Sequence, residues 1–249
     1  MNKYTYTYTI TLDDIAGESF RLVPLSVMGY MQDACARYTA TPKMGPQDLQ
    51  AQNRYWVIKE LAFDLATDLP SWGKEITIEC WFSEISKLRV YIDFTVRWNQ
   101  HILAKGYTLW LIVDKQTKRL IQTNEMAARF PVCTDLVLGT THKKWILPAL
   151  AEPYRSVTKV MDISDKDFNG HINNKSYLHL ALRSMGSEFA ETHTLSHLHA
   201  RFNQETYQGD VLTSSSYGTY LSNRFVHLIR KNTLPVCEIV TCWKEQMLF

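Results

Sequence analysis

The sequence predicts an α+β protein made of two similar β-α-β-β-β-β units, in each of which a mainly antiparallel sheet wraps around one central helix. Long stretches of the chain alternate apolar and polar residues, as strands do. Two other stretches repeat apolar residues every three or four positions, as amphipathic helices do. These two helical stripes lie 150 positions apart, and positions 27, 28, 31 and 35 of the first match positions 177, 178, 181 and 185 of the second.

The first unit opens with a strand and a long helix. Tyrosine and threonine alternate over residues 4–10, which predicts a strand. The helical stripe begins at Pro24, because proline fits the first turn of a helix, and it runs to Thr39. Its apolar positions are Val27, Met28, Met31, Ala34, Cys35 and Tyr38. Further strands are expected over residues 76–82, 90–98, 102–113 and, after a turn, 119–122.

The second unit repeats this order of elements. A strand is expected near residues 155–163, and a helix follows over residues 175–188. Four more strands are expected near residues 196–206, 211–220, 224–231 and 235–244. The stretch 124–153 has no clear pattern and contains Pro131 and Pro148, as linkers do. We therefore assign residues 1–130 to an N-terminal unit, 131–153 to a linker and 154–249 to a C-terminal unit.

Size and composition exclude several classes of function. With 249 residues, of which 45% are hydrophobic, the chain is long enough to form two cores. A net charge of +2 gives no support for nucleic-acid binding. The five cysteines form no CxxC or CxxH pair, so we expect free thiols in a reducing compartment rather than zinc or disulfides. Since no signal peptide and no run of 18 apolar residues is present, we expect a soluble, cytoplasmic protein.

Residues 165–174 carry a dense group of side chains that could act in catalysis or binding. They read Asp-Lys-Asp-Phe-Asn-Gly-His-Ile-Asn-Asn. Asp167, Asn169 and His171 stand two positions apart, so in an extended segment their side chains would point to the same side. Gly170 allows a tight turn or a close approach to a ligand. The two asparagines that end the stretch are good N-cap residues for the following helix, whose free N–H groups favour an anion.

The corresponding segment of the first unit carries nothing comparable. Residues 17–24 read Gly-Glu-Ser-Phe-Arg-Leu-Val-Pro, without a histidine or an asparagine. We therefore expect the reaction in the second unit and the selection of an apolar chain in the first.

Common catalytic and metal-binding motifs are absent from the sequence. It contains no GxSxG, no P-loop, no HExxH and no GxGxxG after a strand. His197 and His199 lie two apart on a predicted strand, but no third ligand of suitable spacing accompanies them. We therefore expect neither a metal nor an organic cofactor.

The stretch 165–174 closely resembles the signature of acyl-acyl-carrier-protein (acyl-ACP) thioesterases, both the plant plastid enzymes and their bacterial relatives. Further segments resemble the same family in the same order: residues 28–34, 55–57, 72–73, 115–120 and 201–212. The resemblance covers nearly the whole chain. It implies a double (tandem) hotdog fold, which agrees with the internal repeat.

The resemblance also implies site residues. Asp167, Asn169 and His171 fall on catalytic residues of the family in the loop before the helix, and Glu205 falls on a catalytic glutamate from the following strand. Plant members have a cysteine next to this glutamate, where this chain has Thr206. A Cys–His–Asn mechanism is therefore not expected here.

The expected reaction is hydrolysis of a fatty acyl-ACP thioester, which releases free fatty acid and terminates fatty acid synthesis. The backbone N–H of Gly170 or His171 is a candidate oxyanion donor. His171 or a neighbouring carboxylate is the candidate base, and a covalent anhydride on a carboxylate stays open. The expected partner is the acyl carrier protein, with the basic residues Lys87, Arg89 and 115–119 as docking candidates. We expect no nucleic acid and no membrane as partners, and a monomer or a homodimer.

Two alternative functions remain open from the sequence. A coenzyme A thioesterase would share the fold and the site, and a comparison of the two carriers with one acyl chain would separate them. A non-catalytic acyl-binding sensor would also share the fold, but it needs no set such as Asp167, Asn169, His171 and Glu205. A hotdog dehydratase is disfavoured, because the loop does not match the dehydratase pattern.

Overall fold

The computed structural model describes residues 3–16, 20–41, 43–139, 147, 150–186, 189, 192–219 and 223–245. The chain divides into two compact units, residues 1–142 and 143–249. The elements of the first unit are β1 (Tyr4–Thr9), β2 (Ile15–Ala16), β3 (Arg21–Leu22), α1 (Pro24–Ala40), α2 (Pro46–Gln50), β4 (Arg54–Leu65), β5 (Glu75–Ile85), β6 (Val90–Trp98), β7 (His101–Asp114), β8 (Leu120–Ile121) and α3 (Asn124–Arg129). Those of the second are β9 (Arg155–Val160), α4 (Asn174–Arg183), β10 (His193–Phe202), β11 (Val211–Thr219), β12 (Arg224–Lys231) and β13 (Leu234–Glu245).

The sheet of each unit is antiparallel and has the same strand order. In the first unit the order is β1-β5-β6-β7-β4, with β8 added to β7. In the second it is β9-β11-β12-β13-β10, which is the same order once the strands are matched along the chain. The predicted β-α-β-β-β-β unit is therefore present twice.

A long helix packs against the sheet in each unit. α1 begins at Pro24 as predicted, and its predicted apolar stripe is buried throughout. α4 buries Tyr177, Leu178, Leu180 and Ala181. Burying such stripes under a sheet supplies most of the driving force for helix formation in a globular protein.

The structure differs from the predicted elements at several places. β4 (Arg54–Leu65) is absent from the strands expected for the first unit. α4 ends at Arg183 rather than residue 188, because the Ser184 hydroxyl donates to the Ala181 carbonyl (2.6 Å) and Gly186 has φ +94°. β9 stops at Val160, and a 3₁₀ turn (Ile163–Asp165) follows it. β10 covers residues 193–202 rather than 196–206. Finally, α3 occupies part of the patternless stretch 124–153.

The outer face of the first sheet is covered by the segment 130–138, which we call the strap. The indole N–H of Trp81 donates to the Asp135 carbonyl (2.9 Å), and the amide of Val137 donates to Asp93 Oδ2 (3.0 Å). The hydroxyl of Ser83 donates to the other oxygen of Asp93 (2.6 Å). The strap explains why Trp81 and Asp93 are both buried although they lie on the face away from α1.

The second unit has a polar core where the first has an apolar one. The sheet registers pair Tyr4 with Cys80 and Cys80 with Phe94, and they pair Arg155 with Ser216 and Ser216 with His227. His227 is fully buried between Ser216 Oγ (2.7 Å from Nδ1) and Thr241 Oγ1 (3.0 Å from Nε2). At the matched position of the first unit, Phe94 is buried among apolar neighbours.

Over the part of the chain that the structure describes, no helix is both long and apolar enough to span a membrane.

Candidate active site

The loop between β9 and α4 folds into a tight turn rather than the extended segment that the two-residue spacing suggested. Lys166 and Ile172 form an isolated bridge at its base. Inside it, the amide of Asp167 donates to the His171 carbonyl (2.8 Å), and the amide of Gly170 donates back to the Asp167 carbonyl (3.1 Å). Gly170 has φ +87°, a left-handed conformation that glycine adopts without strain.

The Asp167 carboxylate holds this turn together. Its Oδ1 accepts hydrogen bonds from the backbone amides of Asn169 (2.8 Å) and His171 (3.1 Å). The predicted oxyanion donors are therefore engaged within the turn: the His171 N–H by the carboxylate, and the Gly170 N–H by the Asp167 carbonyl. The prediction that Gly170 or His171 supplies the oxyanion contact is wrong for this geometry.

Asp165 anchors the turn to the start of α4. Its carbonyl accepts the amide of Asn173 (2.7 Å), and Asn173 in turn caps the helix by accepting the amide of Lys175 (2.9 Å). The Asp165 carboxylate is buried and lies 2.6 Å from Lys159 Nζ. Burial alone would raise the pKa of Asp165, but hydrogen bonds, first of all from Lys159, lower it below its usual value.

His171 and Glu205 are brought together at the mouth of α4. Nε2 of His171 lies 3.4 Å from Oε2 of Glu205, and the two side chains are 15% and 27% exposed. Glu205 reaches this place from the loop after β10, not from the strand itself. That loop is fixed beside the turn because the amide of Ile172 donates to the Thr206 carbonyl (2.9 Å).

Thr206 has a structural contact at the position where plant members have a cysteine. Its hydroxyl is fully buried and lies 2.6 Å from the Tyr177 hydroxyl on α4. This contact fixes the loop to the helix immediately next to Glu205.

The sequence reasoning missed Tyr207. Its hydroxyl donates to Glu205 Oε2 (3.2 Å), and its ring stands edge-on to the imidazole of His171. The signal was available, because Tyr207 lies two positions after Glu205 in a stretch that resembled the family.

The same frame exists in the first unit with different side chains. There Ile15 pairs with Leu22 and Ala16 with Arg21, as Lys166 pairs with Ile172 in the second unit. The amide of Leu22 donates to a loop carbonyl (Pro70, 2.9 Å), as that of Ile172 does. Ala16 thus stands where the second unit has Asp167, and Arg21 where it has His171. Residues 17–19 of the predicted counterpart lie outside the described residues.

An exposed ion pair occupies the place of the histidine–glutamate pair in the first unit. Nη1 of Arg21 lies 2.7 Å from Oδ1 of Asp68, in the loop after β4. Since arginine stays protonated in proteins, Arg21 cannot take the role of a neutral imidazole base.

Among the residues that the structure describes, no group of three or more histidine, cysteine, aspartate or glutamate side chains could hold a metal ion. His197 and His199 lie on β10, as predicted, with ring centroids 6.5 Å apart.

Comparison with known proteins decides the family. Residues 1–130 match the N-terminal domain model of acyl-ACP thioesterases, and residues 153–245 match the C-terminal domain model. The chain belongs to the acyl-ACP thioesterase family.

Among the relatives of this family, a chloroplastic palmitoyl-acyl carrier protein thioesterase from Cuphea hookeriana is 27% identical over 221 residues, which is 83% of this chain and 50% of that protein. One from Gossypium hirsutum is 26% identical over 71% of this chain and 43% of its own length. The chain thus spans about half the length of these plant thioesterases.

Solved structures of acyl-ACP thioesterases share the fold over the full length of the chain. An acyl-ACP thioesterase from Bacteroides thetaiotaomicron superimposes with a TM-score of 0.84 at 18% identity, covering 97% of this chain and 98% of that one. The 12:0-ACP thioesterase from Umbellularia californica gives 0.83 at 20% identity, covering 98% of each chain. The predicted double hotdog fold is confirmed.

Proposed function

We propose that this chain hydrolyses fatty acyl-ACP thioesters and releases the free fatty acid. The observation that carries the proposal is the His171–Glu205 pair at the mouth of α4, in a chain that matches both domain models of the family. A histidine beside a carboxylate is a general acid–base arrangement that can activate water. The first unit, with Arg21 and Ala16 in the matched positions, lacks it.

In the proposed reaction, His171 is the general base. Nδ1 of His171 takes a proton from water, because Nε2 faces Glu205, and the water oxygen attacks the thioester carbonyl. Glu205, at 3.4 Å, stabilises the imidazolium that results. When the tetrahedral intermediate collapses, the carbon–sulfur bond breaks and the imidazolium returns its proton to the leaving sulfur. Atoms and charge therefore balance without a cofactor.

Asn169 and Asp167 have separate roles in this proposal. We assign the oxyanion contact to the side-chain amide of Asn169, because the nearby backbone N–H groups of the turn are engaged. The positive end of the α4 dipole lies beside the same place. Asp167 acts through the turn, because its carboxylate binds the amides of Asn169 and His171.

The remaining assignments follow the division between the units. We propose that the first unit selects the acyl chain, with the buried Met28 and Met31 of α1 as flexible contacts. The partner is the acyl carrier protein, for which the exposed Lys87, Arg89 and residues 115–119 are docking candidates. The sequence has a further basic pair, Lys143 and Lys144, which lies outside the described residues. We place the protein in the cytoplasm, which the free cysteines of the described chain support, as a monomer or homodimer.

The test is release of free thiol from a panel of C8–C18 acyl-ACP substrates, with the matching coenzyme A thioesters in parallel. We expect His171→Ala to lower kcat by roughly 10²–10⁴, the usual range for a general base. Glu205→Ala should lower it less, because the base remains. Turnover of the coenzyme A substrates alone would favour the alternative thioesterase, and binding without turnover would favour the sensor.

A further inference from the structure

Tyr207 lies against both members of the His171–Glu205 pair. Its hydroxyl donates to Glu205 Oε2 (3.2 Å), the same oxygen that lies 3.4 Å from His171 Nε2. Its ring centroid is 5.3 Å from that of the imidazole, and the two planes meet at 76°. Edge-to-face packing of this kind fixes the orientation of a ring as well as its position.

Tyr207 is itself held by a charged anchor. Its amide donates to Asp210 Oδ2 (3.0 Å), and Oδ1 of the same carboxylate lies 2.7 Å from Lys231 Nζ at the end of β12. Burial alone would raise the pKa of Asp210, but the hydrogen bonds from Lys231 and the Tyr207 amide lower it. The carboxylate therefore stays charged at neutral pH and fixes the backbone of Tyr207.

The fold does not demand a tyrosine at this place. In the first unit the matched loop residue is Ser71, which bridges to Arg21. Loop and turn meet there in the same way, but serine has no aromatic ring that could pack against the residue opposite. Tyr207 is therefore a feature of the unit that carries the histidine.

We propose that Tyr207 is a positioning residue for the thioester hydrolysis, a role that rests on the proposed function. A glutamate has three rotatable bonds, and a hydrogen bond to one oxygen limits its rotamers. The hydroxyl holds Glu205 against Nε2 of His171, and the ring holds the imidazole in this orientation, which leaves Nδ1 to act as the base. Tyr207 acts through these two groups and touches no reacting atom.

The experiment compares Tyr207→Phe with Tyr8→Phe in the full chain. Tyr8 is the matched control, because its hydroxyl also donates to a carboxylate (Asp33, 2.8 Å), but on the surface of the first unit. Tyr207→Phe should lower kcat on acyl-ACP about tenfold with KM changed less than about twofold, since small misplacements of catalytic groups act on the chemical step. Tyr8→Phe should leave both constants unchanged.

A double variant separates this role from a general loss of structure. If the hydroxyl acts through Glu205, Tyr207→Phe adds little to the loss caused by Glu205→Ala, which removes the acceptor. Independent, multiplicative losses would overturn the inference. A wild-type kcat in Tyr207→Phe would also overturn it while leaving the proposed function intact, whereas a wild-type protein that turns over no acyl-ACP overturns both.

A second readout does not need turnover. In the wild type, the edge-on Tyr207 ring should shift the NMR signals of the His171 ring protons, and Tyr207→Leu should remove that shift. Identical His171 signals in the two proteins would contradict the contact on which the role depends.

Discussion

At the candidate site, the residue types could be predicted from the sequence, but the contacts that each side chain makes could not. The types of the site residues and their place before α4 could be predicted, because an Asp-x-Asn-x-His run before an N-cap is readable as sequence. The role of Asp167 could not, since the two-residue spacing implied an extended segment, whereas Gly170 turns the chain and brings two amides onto one carboxylate oxygen. Tyr207 was missed for a similar reason: only the folded loop shows which side chain reaches Glu205.

Asp167→Asn should distinguish a turn-holding role from a catalytic one. The amide oxygen of asparagine can still accept both backbone N–H groups, so we expect kcat within about tenfold of the wild type. Asp167→Ala loses both hydrogen bonds, each worth roughly 0.5–1.5 kcal/mol, and should lose activity together with stability. The measurement is kcat and urea unfolding of both variants. If the asparagine variant is as inactive as the alanine variant, the carboxylate takes part in the chemistry.

At the scale of elements, periodicity predicted both long helices and most strands, but it missed β4 and did not predict the ends of the elements. The apolar stripe of the second helix continues to Met185, which suggested a longer helix, whereas Ser184 turns back onto Ala181 and ends it. That serine belongs to the polar core, where Ser184, Ser216, His227, Thr241 and Trp243 form one chain of hydrogen bonds. Since the indole N–H only donates and the Ala181 carbonyl only accepts, one direction satisfies every member, and it places the proton of His227 on Nδ1.

The polar core predicts how stability depends on pH. Burial lowers the pKa of His227 to about 3, below its ordinary value of 6.5, so the folded state needs the neutral ring. The stabilisation is complete above pH 6.5 and is lost as the pH falls from 6.5 towards 3, by about 1.4 kcal/mol per pH unit. Urea unfolding of the wild type and of His227→Gln between pH 8 and pH 4 checks this. His227→Gln should be less stable at pH 8 but should show a flatter decline, and parallel curves would contradict the assignment.

For the whole molecule, the internal repeat was the strongest prediction, because the same stripe and the same strand order recur. What the repeat could not reveal is how the units differ away from the site. The strap covers one face of the first sheet and buries Trp81 and Asp93. The pattern of apolar and polar residues along the strands does not predict that another segment covers this face. For this reason Trp81, which lies on the covered outer face, interrupts the alternation of apolar and polar residues along β5.

Asp93→Ala should loosen the strap. The change removes the acceptor of the Ser83 hydroxyl and of the Val137 amide, and a buried unsatisfied group costs about 1–3 kcal/mol. We therefore expect a loss of stability of that order or more, together with faster proteolytic cleavage within residues 130–138. The matched control is Asp114→Ala, whose carboxylate likewise accepts a backbone amide and a hydroxyl, both from Thr117 (2.8 and 2.9 Å), in the turn after β7. Equal protease resistance of Asp93→Ala and the wild type would show that Asp93 does not hold the strap.

The ion pair between Arg21 and Asp68 has a consequence for how this chain can change over time. If only the second unit carries out the reaction, the matched loop of the first unit is not under selection for catalysis. Its backbone geometry is still maintained, because the first unit must fold. The segment before α1 thus keeps the backbone pairing of the candidate site but has Ala16 and Arg21 in place of Asp167 and His171. New activities are therefore more accessible there than in the loop before α4, where each substitution also risks the existing one.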